Sequence, residues 1–243
     1  MARRRKAAQG GNGDIPKDFR CSSWLIEIGA DEEGGTPLLM NAFRLPGEKP
    51  QDKKADALAG DPDEWRWRLY WCSALGVYVP AQNIRAMYRD TVSREKVEGQ
   101  NAKIVLGALA KYLAIDVSGP MRLEGVPIEI QNAGDWVSIP TIEDFEYFAG
   151  SEEYSCQIYR SMVRQAGPTG APTMRYRPWF YPWRLRFLLW TPPVCRLSYE
   201  QVRSWTERAG LFVGLCDGRP KLRKPYCYGQ FRPLRIEPAE DFL

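Results

Sequence analysis

Alternation of apolar and polar side chains is clearest from Trp183 to Leu189, where Trp, Leu, Phe and Leu take the odd positions and Arg184, Arg186 and Leu188 the even ones. Seven residues of period two predict a strand buried on one face. The same criterion makes Ser22 to Ile28 a first strand, followed by a breaker-rich turn from Gly29 to Gly35 and a second apolar segment from Pro37 to Phe43. Trp65 to Tyr70, with Trp65, Trp67 and Leu69 alternating against Arg66, Arg68 and Tyr70, reads as another half-buried strand.

The period changes after Gly76–Pro80. Ile84, Met87, Tyr88 and Val92 fall at i, i+3, i+4 and i+8, which is one face of a helix. Arg85 and Arg89, four residues apart, share a neighbouring face. A second helix is expected from about Asn101 to Leu113, and residues 119–139 are strand-like with proline and glycine breaks. Thr141 stands three residues before Asp144, and Ser198 three before Gln201, the spacing of a capping box. The second box opens a helix with Val202, Trp205 and Ala209 on its apolar side and Gly210 as the expected stop. Cys156 to Val163 leans toward strand and Gly167 to Pro172 reads as a loop. Leu211 to Leu215 and Tyr226 to Ile236 read as closing strands.

This order of elements suits an α+β fold, a ferredoxin-like (RRM-like) antiparallel sheet with helices and elaborating insertions. Either two βαββαβ halves or one such unit would account for it. With no internal repeat visible, one elaborated domain over residues 14–243 is expected behind a disordered basic arm at residues 1–13. Pro46 to Asp63 is polar, breaker-rich and long for a connection, so it is expected to be an excursion loop.

Composition narrows the chemistry. Apolar residues make up 44% of 243, enough for a substantial core. No window has the length and hydropathy of a membrane span, and the basic start is followed by glycines rather than an apolar stretch. A location in the cytoplasm, that of a bacterial host, is expected. The six cysteines contain no Cys-x-x-Cys pair, which argues for reduced thiols rather than a disulfide framework or a zinc site. The chain has no histidine, which removes Ser–His and Cys–His nucleophile pairs, zinc–histidine sites and the usual general base near neutral pH. Acidic clusters at Asp31-Glu32-Glu33, Asp61-Pro-Asp63-Glu64 and Glu143-Asp144-x-Glu146 lack ligand spacing. No catalytic residue, cofactor or metal is expected.

The net charge of +4 conceals a segregation. Residues 160–235 hold fifteen Lys/Arg against three acids, whereas residues 7–159 hold fifteen against twenty-four. Two readings are open. The arginines could form solvated strand faces and pair with the acidic N-terminal half, or they could meet a polyanion. Favouring the second, thirteen aromatics lie in the same stretch, interleaved with arginine from Arg175 to Arg186. Guanidinium groups neutralise phosphates, and rings stack on bases. The candidate binding residues are Arg85, Arg89, Arg175, Arg177, Trp179, Tyr181, Arg219, Lys221, Arg223, Lys224 and Tyr226. Pro178 and Pro182 are expected to disfavour regular pairing around Trp179 and Tyr181, leaving these two as exposed stacking platforms. Trp183, in register with Leu185 and Phe187, is expected in the core.

Gly210, Gly214, Gly218 and Gly229 bracket a segment bearing Arg219, Lys221, Arg223 and Lys224. It is no P-loop, since no Gly-Lys-Ser/Thr follows. A hairpin loop with incidental cations is the plainer reading. The segment from Ala209 to Phe231 nevertheless resembles the glycine-rich signature of the repeat-associated mysterious protein (RAMP) superfamily, the RNA-binding backbone subunits of CRISPR effector complexes. Val77 to Arg89 is similar to that superfamily's proline-led turn into a basic helix. Pro37 to Asn41, Arg175 to Phe180 and Gly210 to Pro220 also look like elements of phage and prophage proteins. The resemblance implies binding rather than cleavage, because RAMP-like nucleases typically use a histidine.

The function expected is therefore non-catalytic binding of single-stranded RNA or DNA in a phage or mobile element. Copies are expected to line the strand cooperatively as a homo-oligomer or filament, with no membrane partner. The alternative is a structural or assembly protein whose aromatic surface meets other proteins. A metal-dependent nuclease is a third, weaker reading.

Overall fold

The structure is a computed structural model, and it describes residues 15–42, 60–92, 96–97, 100–101, 114–116, 125–164, 172–190, 196–220 and 227–239. In chain order the main elements are β1 (Ser23–Ala30), β2 (Leu38–Leu39), α1 (Glu64–Arg68), β3 (Gly76–Pro80), α2 (Ala81–Thr91), β4 (Gly125–Asn132), β5 (Asp135–Ser138), α3 (Ile142–Ala149), β6 (Cys156–Arg164), β7 (Pro172–Phe180), β8 (Trp183–Trp190), α4 (Tyr199–Arg208) and β9 (Arg232–Pro238).

The largest sheet runs β9–β1–β8–β4–β3, with every pairing antiparallel. Numbering β1, β4, β8 and β9 as strands one to four gives the order 4-1-3-2. With α2 after the first strand and α4 after the third, this is the βαββαβ path of a ferredoxin-like unit. The α+β, antiparallel fold expected from the sequence is thus the fold observed. Two insertions elaborate it. The stretch between β1 and α2 supplies β2, α1 and strand β3, with Trp71–Cys72 paired on its outer side. The stretch between β4 and β8 supplies β5, α3 and the long β6–β7 hairpin, which with β2 makes a second, three-stranded sheet.

The core lies between the large sheet and helices α2 and α4. All four odd positions of β8 are buried, and they meet Trp24, Ile26 and Ile28 of β1 and Val126, Ile128 and Ile130 of β4. The predicted stripe of α2 is buried in full, and Tyr88 sets its ring edge-on to Phe187 while its hydroxyl pairs with Thr206 Oγ1 at 2.9 Å. Burial pushes the Tyr88 phenol above its ordinary range. Both predicted capping boxes are present, at Thr141/Asp144 and Ser198/Gln201.

Three local expectations are corrected. Trp65 to Tyr70 is no strand: Glu64–Arg68 is a helical turn, and Trp65 and Leu69, four apart, are buried on its one inward face. Leu211 to Leu215 is no strand either, because Ala209–Val213 forms a π-helical turn that closes at Gly214, φ +67°, whose N–H donates to Ala209 O at 2.8 Å. Gly210 therefore does not end the helix. It is glycine because a Cβ there would lie 2.0 Å from the Phe231 carbonyl oxygen. Third, Pro178 does not interrupt pairing: β7 pairs with β6 along its whole length, Pro178 lying opposite Ile158 with its carbonyl accepting from Met40 N at 2.9 Å. The expected helix near residues 101–113, the arm at residues 1–13 and most of the excursion loop at 46–63 lie outside the described residues.

Candidate nucleic-acid interface

Strand β3 runs directly into α2, so the first turn of that helix is fixed by the sheet. Asn83 in this turn hydrogen-bonds the Cys216 side chain, which joins α2 to the loop that follows the π-helical turn. Arg219 lies close enough to Cys216 to favour its thiolate. Burial outweighs both neighbours and pushes that thiol up to about 12. The two segments that carried the sequence resemblance, 77–89 and 209–231, thus meet through their described residues.

The glycine-rich loop is held by backbone bonds to its surroundings. Asp217 N donates to Leu39 O at 3.0 Å, Leu215 N to Gly229 O at 2.9 Å, and Gly229 N to Pro37 O at 2.8 Å. Gly218 faces the Tyr228 ring so closely that a Cβ there would stand 2.7 Å from it. On the far side the β6–β7 hairpin leans on the loop: Arg177 Nη1 donates to Asp217 Oδ2 at 2.8 Å, and the Tyr159 and Tyr228 rings meet edge-to-face at 6.0 Å. Asn83, Tyr159, Cys216 and Tyr228 were not singled out from the sequence.

The candidate residues divide into four groups. Arg177, Arg85 and Arg219 belong to the junction of loop, helix and hairpin, and Arg89 extends it one turn along α2 as an exposed side chain. Arg175 does not join them: its Nη1 bonds Glu64 Oε1 at 2.8 Å in α1. Trp179 and Tyr181 are half-buried rather than open platforms, with ring centroids 6.1 Å apart and the Tyr181 hydroxyl donating to Asp31 O at 2.8 Å. Lys221, Arg223, Lys224 and Tyr226 lie outside the described residues. Trp183 is fully buried, its Nε1–H donating to Thr36 O at 3.0 Å.

Much of the charge segregation is spent inside the molecule. Arg184 pairs with Glu27 and Glu129, Arg186 with Glu27, and Arg232 with Asp31 and Glu33. The sheet face away from the helices is in consequence a mixed-charge network, with the Arg184 guanidinium 4.7 Å from the Trp136 ring centroid. Among the described residues, Arg175, Arg184, Arg186 and Arg232 of the basic stretch pair with the acidic half. Arg85, Arg89 and Arg219 differ, having no carboxylate partner among the described residues, and the buried Nε–H of Arg85 and of Arg219 makes no hydrogen bond. No described acid offsets their charge.

The acidic clusters have structural uses. Asp144 caps α3, Glu146 pairs with Arg66, and buried Glu64 serves Arg68 and Arg175. Among the described residues no three His, Cys, Asp or Glu side chains stand close enough to hold a metal ion. No described helix is long and apolar enough to cross a membrane.

No family model matches the chain, and no curated protein matches it. Among solved structures it is similar to a chain of the Type III-B Cmr-beta complex bound to cognate target RNA, at 13% identity and a TM-score of 0.44. The alignment covers 91% of this chain and 61% of that one, so this chain spans about three fifths of its length.

Proposed function

We propose that the chain binds single-stranded nucleic acid, RNA or DNA, along the junction of α2, the glycine-rich loop and the β6–β7 hairpin, and that it does so without cleaving the strand. The observation that carries this reading is that Arg85, Arg89 and Arg219 have no carboxylate partner among the described residues, at a junction where the loop's Gly218 and the hairpin's Tyr159 meet the Tyr228 ring. Cations without acids attract phosphates from solution, and half-exposed rings offer π-faces to unpaired bases. The sequence continues from Pro220 into Lys221, Arg223 and Lys224, which adds to the attraction. In the phage or mobile-element setting expected above, neighbouring copies would line one strand.

Fluorescence anisotropy with labelled single-stranded RNA and DNA of one sequence tests the proposal. The Arg85→Gln/Arg219→Gln double variant should bind far more weakly than the parent. Arg203→Gln, which removes an exposed cation already paired with Glu207, should bind as the parent does. Equal binding by all three proteins would refute the junction as the site. The ratio of RNA to DNA affinity names the preferred strand.

A further inference from the structure

The π-helical turn Ala209–Val213 displays two consecutive large apolar side chains, Leu211 at 57% and Phe212 at 64% exposure. The displacement follows from geometry. Val202, Trp205 and Ala209 set the buried stripe of α4 and its continuation, and an α-helix would carry that stripe on to position 212. The wider turn inserts one residue, so Val213 takes the inward place at 6% exposure and Phe212 swings out. The turn is held in this form. Gly210 is pressed against the Phe231 carbonyl, Gln230 Nε2 donates to Leu211 O at 2.9 Å, and Gly214 closes the turn with a positive φ. Single-turn π segments of this kind recur at functional sites, and adjacent exposed apolar residues mark contact surfaces.

Its surroundings identify the occupant. The turn packs against α2, which carries Arg85 and Arg89, and leads within a few residues to Arg219. An apolar tip packed on a helix whose arginines have no carboxylate partner among the described residues is complementary to a chain of flat apolar rings strung on phosphates. We infer that Phe212, supported by Leu211, stacks on or wedges between bases of a single strand whose phosphates lie on Arg85, Arg89 and Arg219. This rests on the binding function proposed above and adds the residue that meets the bases.

The two contributions separate by salt. Phosphate contacts weaken as salt rises, whereas stacking on a ring releases no counterions. Binding of an oligonucleotide carrying one 2-aminopurine, read by anisotropy and by the fluorescence of that base, is to be measured for the parent, Phe212→Ala, Phe212→Trp and Leu211→Ala across a salt series. Phe212→Ala should bind about tenfold more weakly at every salt concentration, keep the parental log–log slope, and lose the 2-aminopurine change. Phe212→Trp should restore both signals, and the exposed position predicts an unchanged melting temperature. Parental affinity and fluorescence in Phe212→Ala would overturn the inference while leaving the junction as the binding site. A shift of Phe212→Ala to a smaller species in sedimentation, with binding per copy intact, would also overturn it and make the tip a contact between copies. Failure of the parent protein to bind any strand would remove the binding function itself, and the inference with it.

Discussion

Glu64 and Arg175, separated by 111 residues in sequence, meet at 2.8 Å in the interior. Glu64 is 1% exposed and also accepts from Arg68 and from the backbone N–H of Tyr176. The carboxylate accepts four hydrogen bonds, two from Arg68 of α1 itself and two, from Arg175 and Tyr176, that tie α1 to strand β7. Glu64→Ala would leave two guanidinium groups without their partner, and breaking such a buried pair typically costs about 3–5 kcal/mol. Urea unfolding should show a loss at or somewhat below that range, because both arginines keep some contact with water. Nucleic-acid affinity of the folded fraction should be unchanged.

Two tryptophans four residues apart should behave in opposite ways. Trp183→Ala opens a cavity under the sheet and removes the bond to Thr36, so stability should fall by about 3–5 kcal/mol. Trp179→Ala removes a half-buried ring and should melt closer to the parent. Its expected loss is in strand binding, by about 1–3 kcal/mol if one base stacks there. Differential scanning fluorimetry beside anisotropy checks both, and a Trp179 variant with parental affinity would strike that ring from the interface.

Affinity should decline with salt along a log–log slope of roughly −0.7 per phosphate contact. Losing Arg85 and Arg219 together should flatten the slope by about 1.4. A slope that stays parental in the double variant would show that other cations carry the phosphates.

Alkaline pH should weaken the fold. Burial raises the Cys156 and Cys216 thiols from an ordinary value of 9.0 to about 12, and it raises the Tyr88 phenol as well. Each group is held in its neutral, protonated form by folding, so its contribution is complete below pH 9 and is lost as pH rises from 9 toward 12. Urea midpoints measured from neutral to strongly alkaline pH should fall through that window. The fall should be shallower in Cys156→Ala, although that variant starts from a lower midpoint. A flat profile would mean that the unfolded chain protects these groups equally.

Gly210 and Gly134 separate close approach from backbone conformation. An alanine at Gly210 would place its Cβ 2.0 Å from the Phe231 carbonyl oxygen, so the π-helical turn or strand β9 must move. Gly134 has φ +97° but nothing within 4 Å. Gly134→Ala should cost only about 1–2 kcal/mol for its left-handed backbone. Gly210→Ala should cost more and should also disturb strand binding. Equal melting temperatures would refute the close contact.

How far the sequence foretold this structure depended on which force acts at each position. Trp183 to Leu189 and the Ile84–Met87–Tyr88–Val92 stripe were legible because burial imposes its own period on the chain. The caps at Thr141 and Ser198 were legible because their partners are three residues away. Trp65 and Leu69 deceived because a spacing of four satisfies both an alternating strand and one face of a helix. Ion pairs such as Arg184–Glu27 and Arg175–Glu64 could not be read, since nothing local records a partner more than a hundred residues distant. The basic stretch therefore looked more available to a polyanion than it is. The glycine-rich segment was recognised as a unit, but its contact with α2 depends on Asn83 and Cys216, two residues with no distinguishing pattern around them.

Ile130, near the end of β4, lies directly opposite Trp183 at the start of β8. Residues 133–182 therefore form an insertion whose two ends stand side by side on the sheet, its first strand β5 still pairing with β4. Whatever is spliced between these two points needs only to close a short gap, and doubling the length of a flexible closure costs roughly 0.6 kcal/mol. The ancestral sheet can consequently inherit a longer, shorter or wholly different hairpin without relearning how to fold. The exchange would have to replace the bonds of Arg175 and Tyr176 to Glu64, the core places of Phe145 and Phe180, and the contacts at Asp217 and Tyr228.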